Sequence, residues 1–467
     1  MTSSPHVPPV SSPRRILRAL ESKGWLKPFR NAGLLAIGGG AQGIIQLAAI
    51  ALASQALGVA GFGTLVLIDT ARRFVGGIIR LRSKDVVMRY GARALQSEAG
   101  PAAFNRVLAY SLWLDVLSAI AALTAILLAM GAAANWLNMA PEYVDDARIY
   151  GLLVVFVALS SSAEAVLRLF DRFDLVAAHT VVAPIIQVAG SALAFAVGAD
   201  LMSFLVVWFV AHSASQLVLM VAALWELHRR GRLAGVSLHP KHLAGPEPGV
   251  WRFAASTNVM SAFGKIREHG TMFAVAALLD PAAAGLVHVA QRLGKLPGKP
   301  VSKILTPAFF PEIARQTAER KHRKRRKTVW RSTAVVGGVG VVLLAILVLF
   351  GETLLATLFG PAFSAAYAVM LLFGVGGAVK MLTFAVRPVL ISAGRVRILL
   401  WTTAALTMLQ IGLLVLLIPR FGIIGTGLAQ VAPIVLFALI VVPVARHELR
   451  RPRDAAPASA VPTNMDV

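Results

Sequence analysis

Apolar runs of membrane-crossing length follow one another along this chain from residue 31 to residue 444, with only short polar breaks between them. A helix needs about 20 apolar residues to cross the hydrocarbon of a bilayer. Backbone groups in lipid must find their partners inside the segment, so each run is a helix or part of a closed barrel. These runs are far too long for barrel strands, and they predict about twelve helical spans. Their bounds are about 31–57, 64–89, 104–130, 149–170, 175–198, 201–227, 250–279, 285–310, 329–350, 365–391, 398–418 and 423–444. Composition agrees: 57% of the 467 residues are hydrophobic, 15% are charged, and the mean hydropathy is +0.72. A soluble domain would be nearer about 25% charged. The expected fold is an all-α polytopic membrane protein.

Two lobes are expected, at 31–228 and 250–445, joined by a polar cytoplasmic linker at 229–249. Residues 1–30 form an N-terminal segment whose 14–29 stretch mixes Ile16, Leu17, Leu20 and Trp25 with five Lys or Arg. That pattern fits an interfacial helix on anionic lipid. Residues 1–13 and the tail at 446–467 are polar, rich in small residues and proline, and expected to be disordered.

The net charge is +24, a balance that often signals nucleic acid. Here the cations instead follow the spans. Arg89, Arg93 and Arg106, then Arg168 and Arg172, Arg229 to Arg232, Arg315 to Arg331, and Arg395 with Arg397 occupy alternate loops. The other loops are short and carry Glu142, Asp145, Asp146, Asp200, Asp280 and Glu352. Lysine and arginine stay cytoplasmic, so both termini are expected inside a cytoplasmic membrane, touching membrane lipids and no nucleic acid. The chain has no cysteine, hence no disulfide. His239 and His242 alone make no metal site, and no cofactor motif is present. Gly38, Gly40 and Gly43 satisfy GxGxxG, but no strand precedes them, so they read as helix packing.

Charges inside the spans are the informative exceptions. In 285–303, GLVHVAQRLGKLPGKPVSK, His288, Arg292, Lys295, Lys299 and Lys303 fall on one helical face. With entry near Gly285, Lys295 lies about 15 Å deep, where a cation costs about 2.5–3.5 kcal/mol. Such a stripe is expected to face a wet cavity or an anion. The second span is also charged, with Asp69, Arg72, Arg73, Arg80, Arg82, Lys84 and Asp85. An internal repeat relates the two stretches. LGVAGFGTLVLI at Leu57 matches LDPAAAGLVHVA at Leu279, Gly63 pairs with Gly285, and Arg172 pairs with Arg395. The Gly63–Gly285 offset of 222 lays Arg73 over Lys295, so the two stripes are expected to face each other between parallel lobes.

The ALGVAGFGTLVLI turn, the charged second span, LRLFDRF before Leu175 and DPAAAGLVHVAQRL together resemble the bacterial polysaccharide flippase family, of the multidrug/oligosaccharidyl-lipid/polysaccharide (MATE-like) superfamily. The resemblance implies a two-lobed inner-membrane transporter moving polyprenyl-diphosphate-linked oligosaccharide outward by alternating access. It also implies pathway partners, a polymerase and glycosyltransferases. Carried over by position, its cationic cavity is Arg72, Arg73 and Arg80, with Lys265, Arg267, Arg292, Lys295 and Lys299. Asp69, Glu268 and His288 are the candidates for ion coupling. The chemistry agrees, because a diphosphate is drawn to cations in a low-dielectric cavity. Lys380 and Arg387 in the tenth span are further contributors to weigh.

Two other readings compete. A cation-coupled drug exporter would want a carboxylate in the first or seventh span; the first has none, and Glu268 lies between Arg267 and His269. A membrane glycosyltransferase or polymerase would want an external catalytic carboxylate, and Asp145 and Asp146 have no supporting base or metal ligands. The chain is therefore not expected to be an enzyme.

Overall fold

The computed structural model describes residues 27–296, 306–319 and 322–450, apart from positions 99, 234 and 238. Residues 1–26, which hold most of the expected interfacial helix, lie outside it, as do Lys299, Lys303 and the tail beyond 450. Every element among the described residues is helical: α1 (Lys27–Ile79), α2 (Gly100–Trp136), α3 (Tyr143–Leu169), α4 (Phe173–Ala196), α5 (Leu201–Arg229) and α6 (Val250–Leu278). Then follow α7 (Pro281–Gly294), α8 (Thr306–Ala318), α9 (His322–Phe359), α10 (Pro361–Ser392), α11 (Val396–Phe421) and α12 (Ile423–Arg450). Nine helices among the described residues are long and apolar enough to cross a membrane. α1 makes two of the twelve passes; α6, carrying Lys265, Arg267 and Glu268, and α7 with α8 make the remaining two.

α1 reverses at one residue. Gly58 has φ 65° and ψ −173°, outside the helical region and open mainly to glycine. The expected Gly58–Gly63 turn is thus a single kink, with the helix resuming at Val59. The reversal shows in the packing. Gln55 reaches the carbonyls of Thr357 and Leu358 from one arm, and Phe62 meets Phe363 from the other. The Gly58 end, which also holds the acidic loops, is called the acidic end here, and the opposite one the basic end.

The second arm stops at Ile79. Arg80 to Arg82 are not helical, and helix resumes over residues 83–96 with a π-helical turn at Val87–Gly91. The expected unbroken 64–89 span is therefore two pieces, and it runs on to Gln96. The eighth span is divided as well. Asp280 caps α7 through the Ala283 N–H (2.6 Å) and Pro281 opens its first turn, a preferred helix start. α7 ends at Gly294, so the expected 285–310 helix starts four residues early and does not continue to Lys299. Lys295 is its C-cap.

The repeat is real at atomic detail. α3 ends with Asp171 at φ 58° and the Arg172 N–H bonded to the Leu167 carbonyl at 2.8 Å. α10 ends with Gly394 at φ 74° and the Arg395 N–H bonded to the Leu390 carbonyl at 2.9 Å. Both are Schellman closures with a left-handed residue after the helix. Each presents its arginine to a glutamate at the end of its lobe's last helix: Arg172 to Glu226 (2.7 Å) and Arg395 to Glu448 (3.0 Å).

The lobes meet at the acidic end, where the paired glycines touch. A Cβ at Gly63 would fall 1.8 Å from the Pro281 carbonyl oxygen, and one at Gly285 would fall 2.8 Å from that of Val59. Beside this crossing Asn138 donates to the Ala276 carbonyl (3.0 Å) and Ser54 to that of Phe359 (3.3 Å). Close backbone approach through glycine is the usual way helices cross in a membrane.

Candidate functional site

At about 1.5 Å per residue, the charged side chains of α1, α6 and α7 can be placed along their helices. Measured from the acidic end, Gln46, Asp69, Arg73, Lys265, Glu268, His269, His288, Arg292 and Lys295 all lie about 10–22 Å deep. They form one polar belt near mid-membrane, and each of these helices supplies it because the sequence puts its polar residues one or two turns apart.

The second arm of α1 divides its charges between two faces. Asp69 and Arg72 are buried, and Asp69 accepts from Arg72 (2.7 Å), Arg73 (2.6 Å) and the Tyr150 hydroxyl (2.9 Å). Arg72 also lies over the Tyr150 ring, 5.6 Å from its centroid. It is taken up inside the first lobe, which departs from its expected place among the cavity cations. Arg73 shares the carboxylate yet keeps 42% of its side chain exposed. It is the residue of the pair that faces the gap between the lobes.

Opposite it, Lys265 of α6 lays its stem over Gly77; a Cβ there would fall 2.9 Å from the Lys265 Cγ and Cδ. Its ammonium holds Glu268 at 2.7 Å, while Phe74 meets His269 and Phe273 edge-on. Glu268 is thus an ion-pair partner. On α7, Arg292 donates to the neutral Gln46 amide at 2.7 Å, and its Nε is buried with no acceptor. Lys295 donates to Gln291 (2.8 Å) and lies 5.2 Å from the Phe373 ring centroid. His288 packs edge-on against Phe62 within electrostatic reach of Arg73, Arg292 and Lys295.

Two carboxylates, Asp69 and Glu268, therefore face five cations: Arg72, Arg73, Lys265, Arg292 and Lys295. The surplus is positive, and part of it stays exposed at a depth where lipid would tolerate no charge. Chemically the belt is an anion receptor, with guanidinium forks for oxyanions and point charges beside them. The Arg267 side chain and Lys299 lie outside the described residues. Arg80 stands apart, about 33 Å from the acidic end, with its Nη1 3.5 Å from the Val157 carbonyl. Sequence reasoning missed Gln46 and Tyr150, since a lone amide or phenol in an apolar run carries no periodic signal.

Removing Arg72 tests its separation from Arg73. Arg72→Ala should lower stability by about 3 kcal/mol, the low end for breaking a buried pair, because Arg73 and Tyr150 still hold Asp69. Arg73→Ala, at a half-exposed pair, should cost under about 1 kcal/mol. Thermal unfolding in detergent micelles would separate the two.

Residues 106–368, more than half the chain, match a family model described as polysaccharide biosynthesis protein. The inner membrane protein YghQ of Escherichia coli (strain K12) is 26% identical over 343 residues, which is 73% of this chain and 94% of that protein. Among solved structures, the lipid II flippase MurJ in an inward closed conformation superposes with TM-score 0.66 at 13% identity, covering 89% of each chain. A multidrug resistance MATE family transporter of the MOP superfamily, in its inward-facing conformation, gives 0.65 at 13% identity, covering 87% of this chain and 94% of that one. A MOP superfamily transporter from Pyrococcus furiosus gives 0.58 at 14% identity, covering 92% and 96%. The fold is MATE-like.

Proposed function

The chain belongs to the polysaccharide biosynthesis protein family, and from that premise we propose that it is a flippase for polyprenyl-diphosphate-linked oligosaccharide. It is a transporter of the MOP superfamily; the substrate is our reading. The observation that carries it is the belt of five cations against two carboxylates, drawn from both lobes at one depth. A diphosphate brings two or more negative charges to such a belt, the sugars take the wet gap, and the prenyl chain stays in lipid. We place the protein in the inner membrane, with the basic end and both termini in the cytoplasm. Its partners are then the glycosyltransferases that build the unit and the polymerase that consumes it.

Depletion of the protein should make lipid-linked oligosaccharide accumulate on the inner leaflet. Unchanged lipid-linked sugar together with altered drug susceptibility would favour the exporter reading instead. The present geometry disfavours that reading, because Glu268 is spent on Lys265 and Asp69 on two arginines. It also gives no support to an external catalytic carboxylate, since Asp145 is exposed and paired with Arg148 at 2.9 Å.

Orientation has its own test, made clean by the lack of native cysteine. A cysteine placed at Lys324 should resist an impermeant thiol reagent in intact cells, and one at Asp145 should react. The opposite labelling pattern would reverse the topology.

A further inference from the structure

Toward the basic end from the belt lies a carboxyl that the proposed function leaves unused. Asp115 of α2 is fully buried, and no cation is among its hydrogen-bond partners. The Ser162 N–H donates to its Oδ2 at 3.0 Å. Its Oδ1 is hydrogen-bonded to the Ser83 hydroxyl, which is also bonded to the Ser161 hydroxyl at 2.9 Å. These three oxygens form a chain that can be read in either direction. If Asp115 is ionised, Ser161 donates to Ser83 and Ser83 to the carboxylate. If it is protonated, Asp115 donates to Ser83 and Ser83 to Ser161. Both states keep every bond, so one proton can enter or leave without orphaning a buried group.

Position gives that proton a purpose. Ser83 is the first helical residue after the break at Arg80 to Arg82, and the Leu81 N–H within the break donates to Ser118 of the same α2 at 2.9 Å. α2 therefore grips the broken segment at two points, one of them titratable. The charged groups around it are few. Arg80 in the break is within electrostatic reach, and its Nη1 has only a long contact to a carbonyl. Glu164 on α3 is held by Lys84 and Arg168, and Arg82 by Asp85. On α2 itself the neighbours, Ser111 and Ser118, are neutral. Ionised Asp115 would draw Arg80 toward α2; protonated, it releases Arg80.

We propose that Asp115 is a proton-binding site whose charge sets the position of Arg80 and of the helical segment 83–96. The ligand is a proton rather than a metal cation, because a backbone N–H occupies Oδ2 and a guanidinium stands nearby. The role in transport rests on the flippase reading, but the test needs no substrate. Infrared spectra of the purified protein in lipid vesicles should show a protonated carboxyl band that is lost as pH rises. The band should be absent in Asp115→Asn and displaced in Asp115→Glu. Spin labels at Arg93→Cys and Glu247→Cys, one on the broken segment and one before α6, should change separation over the same pH range. In Asp115→Asn, fixed in the neutral form, that response should be lost. A band that survives in Asp115→Asn, or label distances that titrate alike in both proteins, would overturn the proposal. So would a distance change on exchanging sodium for choline at constant pH that requires Asp115.

Discussion

Gly63→Leu should abolish export while leaving the protein folded and inserted. The Cβ of any side chain at 63 would fall 1.8 Å from the Pro281 carbonyl oxygen, and backbone on both sides leaves no rotamer to escape into. The contact can be relieved only by parting the acidic ends of the two lobes. Alternating access needs that end to close once per cycle, and a state that cannot form cannot be populated by substrate. Gly285→Leu should act alike, because its Cβ would meet the Val59 carbonyl and the Gly63 Cα from the other side. Lipid-linked oligosaccharide should accumulate in both variants. A reporter cysteine at Asn138, beside the crossing, should label faster from outside. Normal export by Gly63→Leu would show that this crossing is not a moving seal.

Charge reversal at the belt should be the next largest effect. Arg73 and Arg292 come from different lobes to similar depth, and Arg73 is the charge that Arg292 feels. Losing either should remove one charge-assisted contact to a diphosphate, about 2–3 kcal/mol or tens to hundreds of fold in affinity. Arg73→Glu and Arg292→Glu add repulsion and should be worse than the alanine variants. Arg292→Lys should be milder, since it keeps charge and loses the fork. The double alanine variant should cost less than the sum of the singles, as sites sharing one anion do. Inner-leaflet accumulation of lipid-linked sugar, with protein level measured in parallel, reads all of these. Normal export by both glutamate variants would detach the belt from the substrate.

Much of this architecture was legible in the chain. Hydrophobic runs located the passes, and Gly63–Gly285 and Arg172–Arg395 gave a repeat that the Schellman turns then matched bond for bond. The stripe on the eighth span was legible as residues but not as geometry. Helical spacing presumes an unbroken helix, and α7 stops at Gly294, leaving Arg292 rather than Lys295 opposite Arg73. The break at Arg80 to Arg82 was hidden for a different reason. No proline or glycine stands in it, and its N–H groups are satisfied by tertiary partners such as Ser118, which local sequence does not reveal. Arg72 and Arg73 are adjacent and alike, and only the fold decides which one Asp69 buries. Asp115 was silent because a single carboxyl in an apolar run changes no periodicity.

The twin arginine–glutamate closures bear on how fast such a machine can turn over. Arg172 with Glu226 and Arg395 with Glu448 each close within one lobe, as do the pairs at Asp69, Glu164 and Glu268. What joins the lobes at the acidic end is glycine backbone, aromatic edges and side-chain donors to helix-end carbonyls. Rocking one lobe against the other therefore separates no charges. The activation barrier contains no ion-pair rupture and no re-solvation of opposed charges. Conformational exchange without substrate should accordingly be quick and nearly indifferent to ionic strength, with salt acting on the anion's arrival alone.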